Sequence, residues 1–263
     1  MTYFDITYEF AGGIARITIN RPEVYNAFNS RTLAELTDAY EHVRDDPTVG
    51  VVVLTGSGDK AFSSGGDVGW EAAGSLVDQR AASETKVLYK AMRECLKPTI
   101  ARVNGYAIGG GNHLAYVCDF TIAADHAIFG QNGARVGSAA QGWLVSYLVR
   151  VVGAKRAREI WMLCRRYTAH QALDWGLVNS VVPMAELDNE VQRWCDELLA
   201  LSPTALKVLK RTFEEEYVGL RDEQDGRDYL EEVNPQFFSG GESAEGSSAF
   251  LQKRKADFSR WRA

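Results

Sequence analysis

Two glycine-rich loops, each placed after a buried strand, constrain the fold of this chain more than any other feature. The apolar run GVVVLT at 50–55 leads into GSGDKAFSSGGD at 56–67, and TIARV at 99–103 leads towards GYAIGGGNHLA at 105–115. Continuous apolar runs of this length are typical of strands buried on both faces of a sheet. If both strands lie in one parallel sheet, both loops emerge at its carboxyl edge, where open α/β sheets bind ligands.

The second loop carries three consecutive glycines, Gly109 to Gly111, at the head of an apolar segment. A glycine costs about 1 kcal/mol relative to alanine inside a helix, so the triplet indicates a tight turn or a close approach of the backbone to a ligand. Two backbone N–H groups aimed at one point can hold an oxyanion, and a helix N-terminus adds its positive dipole. The two loops therefore predict an oxyanion site, and neither has the G-x-G-x-x-G spacing of a dinucleotide fold.

The remaining pattern predicts an α/β fold with largely parallel strand pairing. Residues 6–10 and 14–19 read as a hairpin, and a helix is expected over Ser30–Val43 with Ser30 as its N-cap. Strands and helices alternate through the N-terminal half, while helices dominate from Val145 onward. Further helices are expected at 83–95, 145–152, 154–164, 169–175, 187–201 and 204–217, and an exposed, turn-rich hinge at 219–246 before a last helix at 247–255.

Composition excludes several classes of protein. The 263 residues are 46% hydrophobic and 24% charged, an ordinary globular balance. The net charge of −6 argues against a nucleic-acid surface, and no apolar run approaches the ~20 residues of a membrane span. Four scattered cysteines without a CxxC motif predict buried free thiols rather than disulfides or a metal site. We expect a soluble cytoplasmic protein with neither nucleic acid nor membrane as its partner.

Several segments together resemble the crotonase (enoyl-CoA hydratase/isomerase) superfamily. In family order they read NRPEVYNAF, DKAFSSGGD, GYAIGGGNHLA, FGQNGARVGS, AREIWMLCRRYTAHQALDWGLVN and AFLQKRKADF. Within that superfamily the chain is most similar to 1,4-dihydroxy-2-naphthoyl-CoA synthases and 2-ketocyclohexanecarboxyl-CoA hydrolases. The resemblance implies a crotonase-like ββα spiral core over 1–200, a helical C-terminal trimerisation region over 201–263, and a homotrimer or homohexamer.

The resemblance also implies site residues for an acyl-CoA thioester, with coenzyme A as part of the substrate and no separate cofactor or metal. The oxyanion-hole N–H groups fall on Ser64 and Gly110. The expected coenzyme A contacts are Ala61 and Phe62, together with Phe250 and Lys253 against a neighbouring subunit's ligand. The expected substrate pocket contains Tyr25, Trp70, Gln141 and Trp143.

Departures from the family pattern bear on the reaction. Hydratases of the family carry two glutamates at the places held here by His113 and Gly133. Because water addition needs a pair of acid/base groups, a conventional hydratase is not expected. In the stretch that the two nearest subgroups share, Ser138 is retained, but an aspartate has become Ala140 and a tyrosine has become Trp143.

His113 is the candidate acid/base group, since an imidazole with an ordinary pKa near 6.5 suits proton transfer at neutral pH. The leading hypothesis is hydrolytic C–C cleavage of a cyclic β-ketoacyl-CoA by a retro-Dieckmann reaction. In it His113 activates water and Ser138 orients the ketone or the water. The alternatives are an intramolecular Claisen cyclisation, isomerase or hydratase action with His113 as sole acid/base group, and a non-catalytic acyl-CoA-binding protein.

Overall fold

A computed structural model describes residues 2–67, 69, 75–215 and 234–259. Its larger sheet has six strands in the order β1-β2-β3-β5-β7-β10, numbered along the chain. They are β1 (Ile6–Ala11), β2 (Ile14–Ile19), β3 (Val51–Gly56), β5 (Thr99–Val103), β7 (Phe120–Ala124) and β10 (Ser180–Val182). Strands β1 and β2 form the expected antiparallel hairpin, and every other neighbouring pair is parallel.

A smaller sheet carries the strands that lead into the glycine turns. Its order is β4 (Ala61–Ser63), β6 (Tyr106–Ile108), β8 (Ile128–Gly130) and β9 (Arg166–Thr168). The first three strands are parallel, whereas β9 is antiparallel to β8. The sequence pattern did not predict β4, β6 and β9, because three residues are too few to show a period of two.

The helices cover the two sheets and fill the C-terminal part of the described chain. In chain order they are α1 (Ser30–Asp45), α2 (Ser75–Glu94), α3 (Gly110–Val117), α4 (Gly133–Val136), α5 (Trp143–Val152), α6 (Ala154–Leu163), α7 (Ala169–Asp174), α8 (Leu187–Leu199), α9 (Pro203–Glu215) and α10 (Glu242–Leu251). The mixed α/β fold with a helical C-terminal region confirms the expected class. The proposed division at residue 200 stays a prediction.

Strand β3 is buried on both faces, as expected from its apolar run. Val52 and Leu54 point into the main core beneath α1 and α2, while Val51 and Val53 point into a second core beneath α8. This alternation follows from the period of two in a strand. Strands β3 and β5 are parallel neighbours, so the condition for both loops to leave one sheet edge is met.

Two helix boundaries differ from the expectation. Helix α1 is capped by Asn29 rather than Ser30, because the Asn29 side chain accepts the Thr32 N–H at 3.1 Å. The last helix begins at Glu242 instead of Ser247 and ends at Leu251. Gly246, expected in an exposed hinge, is instead buried within this helix.

The cysteines behave as expected. Cys95, Cys118, Cys164 and Cys195 are free and buried, and burial raises the pKa of the Cys118 thiol to about 12 and that of Cys195 to about 11. These two thiols are therefore protonated at neutral pH. None of the helices in the described ranges combines the length and apolar character needed to cross a membrane.

Candidate functional site

The two glycine turns lie side by side at the ends of β4 and β6. Gly65, in the turn after β4, has a φ of +92°, and a Cβ atom there would lie 2.8 Å from the backbone nitrogen of Gly110. A side chain at this point would collide with the second turn, so only glycine permits the approach. The sequence prediction that the two loops converge is therefore confirmed.

Two backbone N–H groups in these turns have no hydrogen-bond acceptor among the residues that the structure describes. Within the described ranges, neither the Gly66 N–H nor the Gly110 N–H has an acceptor. Gly110 is the first residue of α3, where the helix leaves its N–H groups unpaired and its dipole is positive. The neighbouring Gly109 N–H does have a partner, because it donates to the Gly130 carbonyl oxygen at 2.9 Å.

Ser64, the expected partner of Gly110, is placed differently. Its N–H donates to the Tyr25 carbonyl oxygen at 3.0 Å, and the next N–H, that of Gly65, donates to the Ser63 hydroxyl at 3.2 Å. The Ser64 N–H is thus already used within the fold. The first N–H after β4 that lacks an acceptor among the described residues is that of Gly66.

His113 lies on the first turn of α3, where its N–H donates to the Gly109 carbonyl oxygen at 3.1 Å. Its ring is enclosed by aromatic side chains from three helices. The ring centroids of Tyr89, Tyr116 and Trp161 lie 6.3, 5.6 and 5.3 Å from that of His113. The helix therefore places His113 three residues after the unpaired Gly110 amide, with its imidazole inside an aromatic pocket.

This environment keeps the imidazole neutral. Burial lowers the pKa of His113 to about 4, although the hydrogen bond to Gln131 acts in the opposite direction. The His113 Nε2 atom lies 3.2 Å from Oε1 of Gln131, and Nδ1 has no hydrogen-bond partner within the described part of the chain. At neutral pH the residue is thus available as a proton acceptor.

Trp143 belongs to the same aromatic group. It packs edge-on against Tyr89, with ring centroids 6.0 Å apart, and the Arg93 guanidinium lies 4.6 Å from the centre of its ring. One ring, that of Tyr89, thus lies between Trp143 and His113, and the place of Trp143 in the substrate pocket stays a prediction. Gln141 is half-buried just before α5, and Trp70 lies outside the described residues.

The other expected pocket residue, Tyr25, is half-exposed at the entrance to the first glycine turn. It adopts a left-handed φ of 55°, and its ring packs edge-on against Tyr106 at 6.3 Å. Non-glycine residues with positive φ are uncommon and are found preferentially at functional sites. Its carbonyl bond to Ser64 ties this segment to the turn after β4.

The expected coenzyme A contacts divide into two pairs. Ala61 and Phe62 are fully buried, and the Phe62 ring lies in the main core, so its side chain is not available to a ligand. Phe250, in the last turn of α10, and Lys253, two residues beyond its end, are exposed. Their role toward a neighbouring subunit stays a prediction.

The region after β8 holds Gly133 at the place of the family's second glutamate and, further on, Ser138. Gly133 opens α4, and a Cβ atom there would lie 2.6 Å from the Ser138 carbonyl oxygen. Ser138 itself is exposed, and its N–H donates to the Gly133 carbonyl oxygen at 3.0 Å. Among the described residues no contact joins Ser138 to His113, so its catalytic role stays a prediction.

Sequence reasoning missed five residues of this site. Gly66 and Gln131 contribute an amide and a polar partner, and a fifth missed residue, Tyr116, joins Tyr89 and Trp161 in the three rings around His113. Gln131 carried a usable signal, since it stands directly after β8 in the FGQNG segment, beside a third parallel strand end. The aromatic residues carried none, because apolar rings on helices are core residues by default.

The fold and the site together define an α/β protein in which two glycine turns meet at the start of a helix that carries an imidazole enclosed by aromatic rings. The family profile for enoyl-CoA hydratase/isomerase matches residues 9–261. The chain therefore belongs to the enoyl-CoA hydratase/isomerase family, that is, to the crotonase superfamily of enzymes. The resemblance to the naphthoyl-CoA synthase and ketocyclohexanecarboxyl-CoA hydrolase subgroup stays a prediction.

Solved structures agree with this assignment. An enoyl-CoA hydratase from Mycobacterium avium subsp. paratuberculosis K-10 is 27% identical over 98% of this chain and 100% of its own, with a TM-score of 0.83. An enoyl-CoA hydratase/isomerase from Xanthobacter autotrophicus Py2 is 32% identical over 95% and 93%, with a TM-score of 0.78. A monofunctional enoyl CoA isomerase from M. smegmatis is 32% identical over 81% and 93%, with a TM-score of 0.70.

Proposed function

We propose that this chain is an enoyl-CoA isomerase that moves a double bond along an acyl-CoA thioester by transferring one proton with His113. The observation that carries the proposal is one neutral imidazole on the same helix turn as the Gly110 amide, which has no acceptor among the described residues, with no carboxylate at the second acid/base position of the family. The similarity to a structure described as a monofunctional isomerase supports it. Isomerase action was one of the alternatives that the sequence left open.

In this proposal the amides of Gly66 and Gly110 hold the thioester oxygen. When a proton leaves the carbon next to the thioester, negative charge develops on that oxygen, and donors fixed in advance stabilise it. Loss of one such donor typically costs 10²–10³-fold in kcat. Gly66 replaces Ser64 in this role, because the Ser64 N–H already donates to Tyr25.

His113 would then carry the proton between two carbons. Its unprotonated ring nitrogen takes a proton from C2 of a 3-enoyl thioester, and the electron pair spreads into a dienolate. The imidazolium returns the same proton to C4, so the double bond ends between C2 and C3 with no atom gained or lost. Because burial lowers the pKa of His113, the imidazolium gives its proton back readily.

Hydration fits the site less well. Addition of water across the double bond needs one group to activate water and a means of protonating the neighbouring carbon. Gly133 stands where the family places the second glutamate, and its backbone packs too closely on Ser138 for a side chain. One titratable side chain is sufficient for the isomerisation.

Hydrolytic C–C cleavage, the leading hypothesis from sequence, depends on Ser138 or another polar group to orient water or the ring ketone. Ser138 is exposed and joined only to Gly133 by its backbone N–H in the described structure. Ala140 offers no replacement for the missing aspartate. Both features favour proton transfer over cleavage.

A turnover screen tests the proposal. Linear 3-enoyl-, linear 2-enoyl- and cyclic β-ketoacyl-CoA thioesters are incubated with the purified full chain and followed by mass spectrometry and by the absorbance of the conjugated thioester. Isomerisation of the 3-enoyl substrate without a change in mass is expected. His113→Gln should lower kcat by roughly 10²–10⁴-fold, whereas His170→Gln, which changes an exposed histidine on α7, should not.

Each other outcome contradicts the proposal in a recognisable way. Gain of one water on the cyclic substrate indicates C–C hydrolysis, and gain of one water on the 2-enoyl substrate indicates a hydratase. Thioester binding without turnover of any substrate indicates a binding protein. Isomerase activity that persists in His113→Gln would show that the chain catalyses the proposed reaction but that His113 does not transfer the proton.

A further inference from the structure

We propose that Gln131 is a positioning residue for His113. Its side-chain oxygen accepts the Nε2–H of the imidazole and so leaves Nδ1 as the nitrogen that takes the substrate proton. The catalytic part of this inference rests on the proposed function, but the tautomer itself is a property of the free protein.

The contact between the two side chains supplies the geometry. Oε1 of Gln131 lies 3.2 Å from Nε2 of His113, and the Gln131 side chain is almost completely buried. A neutral imidazole carries one N–H and one lone pair, and an amide oxygen only accepts. Facing an amide oxygen, Nε2 must carry the proton, and the lone pair is then on Nδ1.

The opposite orientation of the amide is incompatible with a base at this position. If the Gln131 nitrogen donated to Nε2, the lone pair would face Gln131 and the proton would be on Nδ1. The nitrogen facing Gln131 is occupied in either case, so Nδ1 is the ring nitrogen left for a substrate. His113 can accept a proton there only if the amide oxygen faces Nε2.

The backbone around Gln131 is held firmly. Gly130, the preceding residue, accepts the Gly109 N–H at 2.9 Å and lies between Ile108 and Arg166 in the smaller sheet. Gly109 immediately precedes the Gly110 donor, and Gln131 immediately follows Gly130. The end of β8 therefore positions both the glycine turn and the partner of His113. Backbone hydrogen bonds thereby hold Gln131 in place relative to the glycine turn at Gly109 and Gly110.

The surroundings of His113 leave Gln131 as its polar partner. The facing rings are Tyr89 from α2, Tyr116 from α3 and Trp161 from α6. None of these groups is charged at neutral pH, and the part of the chain that the structure describes brings no carboxylate or cation into contact with the imidazole. The tautomer therefore depends on one hydrogen bond.

Nitrogen-15 NMR of the histidine rings in the full chain at pH 7 tests the inference without any substrate. Wild type should show His113 as the Nε2–H tautomer, assigned by the loss of its signals in His113→Gln. In Gln131→Glu the carboxylate also accepts from Nε2, so the tautomer should persist, and the acid limb of kcat/KM should move to higher pH. In Gln131→Met the tautomers should mix.

Kinetics then separate positioning from folding. Gln131→Met should lower kcat by roughly 10–100-fold, as for partners that orient metal-binding histidines, with KM little changed, and Gln131→Glu should recover most of kcat near neutral pH. Gln192→Met, on the exposed face of α8, should match wild type in both measurements. If Gln131→Met does not fold, the wild-type and Gln131→Glu spectra still decide the question.

Two results would overturn the inference, and one separates it from the proposed function. An Nδ1–H tautomer in wild type, or an unchanged Nε2–H population in Gln131→Met, shows that Gln131 does not set the tautomer. The expected tautomers in all variants, combined with no isomerase turnover in wild type, would support the positioning role and contradict the proposed reaction.

Discussion

The Nζ atom of Lys210 on α9 lies 2.7 Å from Oδ2 of Asp119, at the start of β7, and it also donates to the Lys97 carbonyl oxygen at 2.8 Å. The same carboxylate oxygen accepts from the Thr99 N–H and the Thr99 hydroxyl at 2.7 and 2.8 Å. One carboxylate thus joins β5, β7 and α9. Lys210 is almost completely buried, so this ion pair anchors the C-terminal helices to the sheet.

Lys210→Met should therefore destabilise the protein by roughly 2–4 kcal/mol, since removal of one partner leaves the other charge partly buried without its counter-ion. We expect the loss in the free energy of unfolding to lie in the lower part of that range, because Thr99 still donates to Asp119. Urea denaturation measures the change. Lys207→Met is the matched control on the exposed face of α9, and methionine and lysine have similar helix propensities. Equal stability of the two variants would contradict the anchoring role.

Gly65→Ala should remove most activity, in addition to the stability that it loses through its left-handed φ of +92°. The new Cβ atom would lie 2.8 Å from the Gly110 nitrogen, so the two turns must separate and the two amides no longer point at one oxygen. We expect a fall of roughly 10²–10³-fold in kcat, the cost of one lost oxyanion donor.

Gly58→Ala is the control for backbone strain in the same loop. Gly58 also has a positive φ, of +77°, but a Cβ atom there meets no atom within 4 Å. It should lose about 1–2 kcal/mol of stability through its left-handed conformation and keep its kcat. A similar kcat in both variants would show that the spacing of the turns does not matter.

The sequence predicted the parts of the fold that have long, regular patterns. The apolar run of β3 was sufficient to predict a strand buried on both faces, and the parallel pairing of β3 with β5 placed the glycine turns together. The short strands β4 and β6, which carry those turns, show no period. Their positions depend on tertiary contacts such as the Asn104 side chain, whose amide donates to the Gly56 and Ala61 carbonyl oxygens.

The candidate site was predictable in its chemistry but not in its atoms. His113 and Gly110 were identified from the GGGNH segment, and the structure places them on one helix turn. Which amide lies free depends on a long-range bond, the donation from Ser64 to the Tyr25 carbonyl oxygen. The sequence does not show that bond, so it predicts the Ser64 N–H as the donor. In the structure it is the Gly66 N–H that lacks an acceptor among the described residues.

Gly246→Ala should destabilise the protein although alanine favours helices. Gly246 lies inside α10, and a Cβ atom there would lie 2.5 Å from the Gly137 nitrogen and closer still to the Val136 carbonyl carbon. These are backbone atoms at the end of α4, and unlike a side chain they cannot rotate away from the new methyl group. Overpacking costs roughly 1–3 kcal/mol, and because the atoms met here are backbone, the cost lies in the upper part of that range, above the gain of about 1 kcal/mol in helix propensity.

Thermal or urea denaturation of Gly246→Ala measures the net effect, and Ala244→Gly supplies the propensity scale. Ala244 is exposed on the same helix, so its replacement by glycine should cost only about 1 kcal/mol. A more stable Gly246→Ala would mean that α10 does not pack against α4 in solution.

His113 should make the stability of the protein depend on pH below neutrality. Its pKa is near 4 in the folded state because of burial and near 6.5 when unfolded. Between these values the unfolded chain binds the extra proton, so the free energy of unfolding falls as the pH drops. From pH 7 to pH 5 this one group should account for a loss of about 2 kcal/mol. Above pH 6.5 the imidazole is mostly neutral in both the folded and the unfolded chain, so the free energy of unfolding is then almost unaffected by this group.

The comparison of His113→Gln with wild type isolates this group, because the carboxylates titrate equally in both proteins and cancel in the difference. The stability of the variant relative to wild type should improve by about 2 kcal/mol between pH 7 and pH 5. His170→Gln should show no such change, since His170 is exposed on α7. Parallel pH curves for wild type and His113→Gln would mean that the imidazole is not held neutral in the folded protein. Isomerisation by a neutral base would then need a different residue.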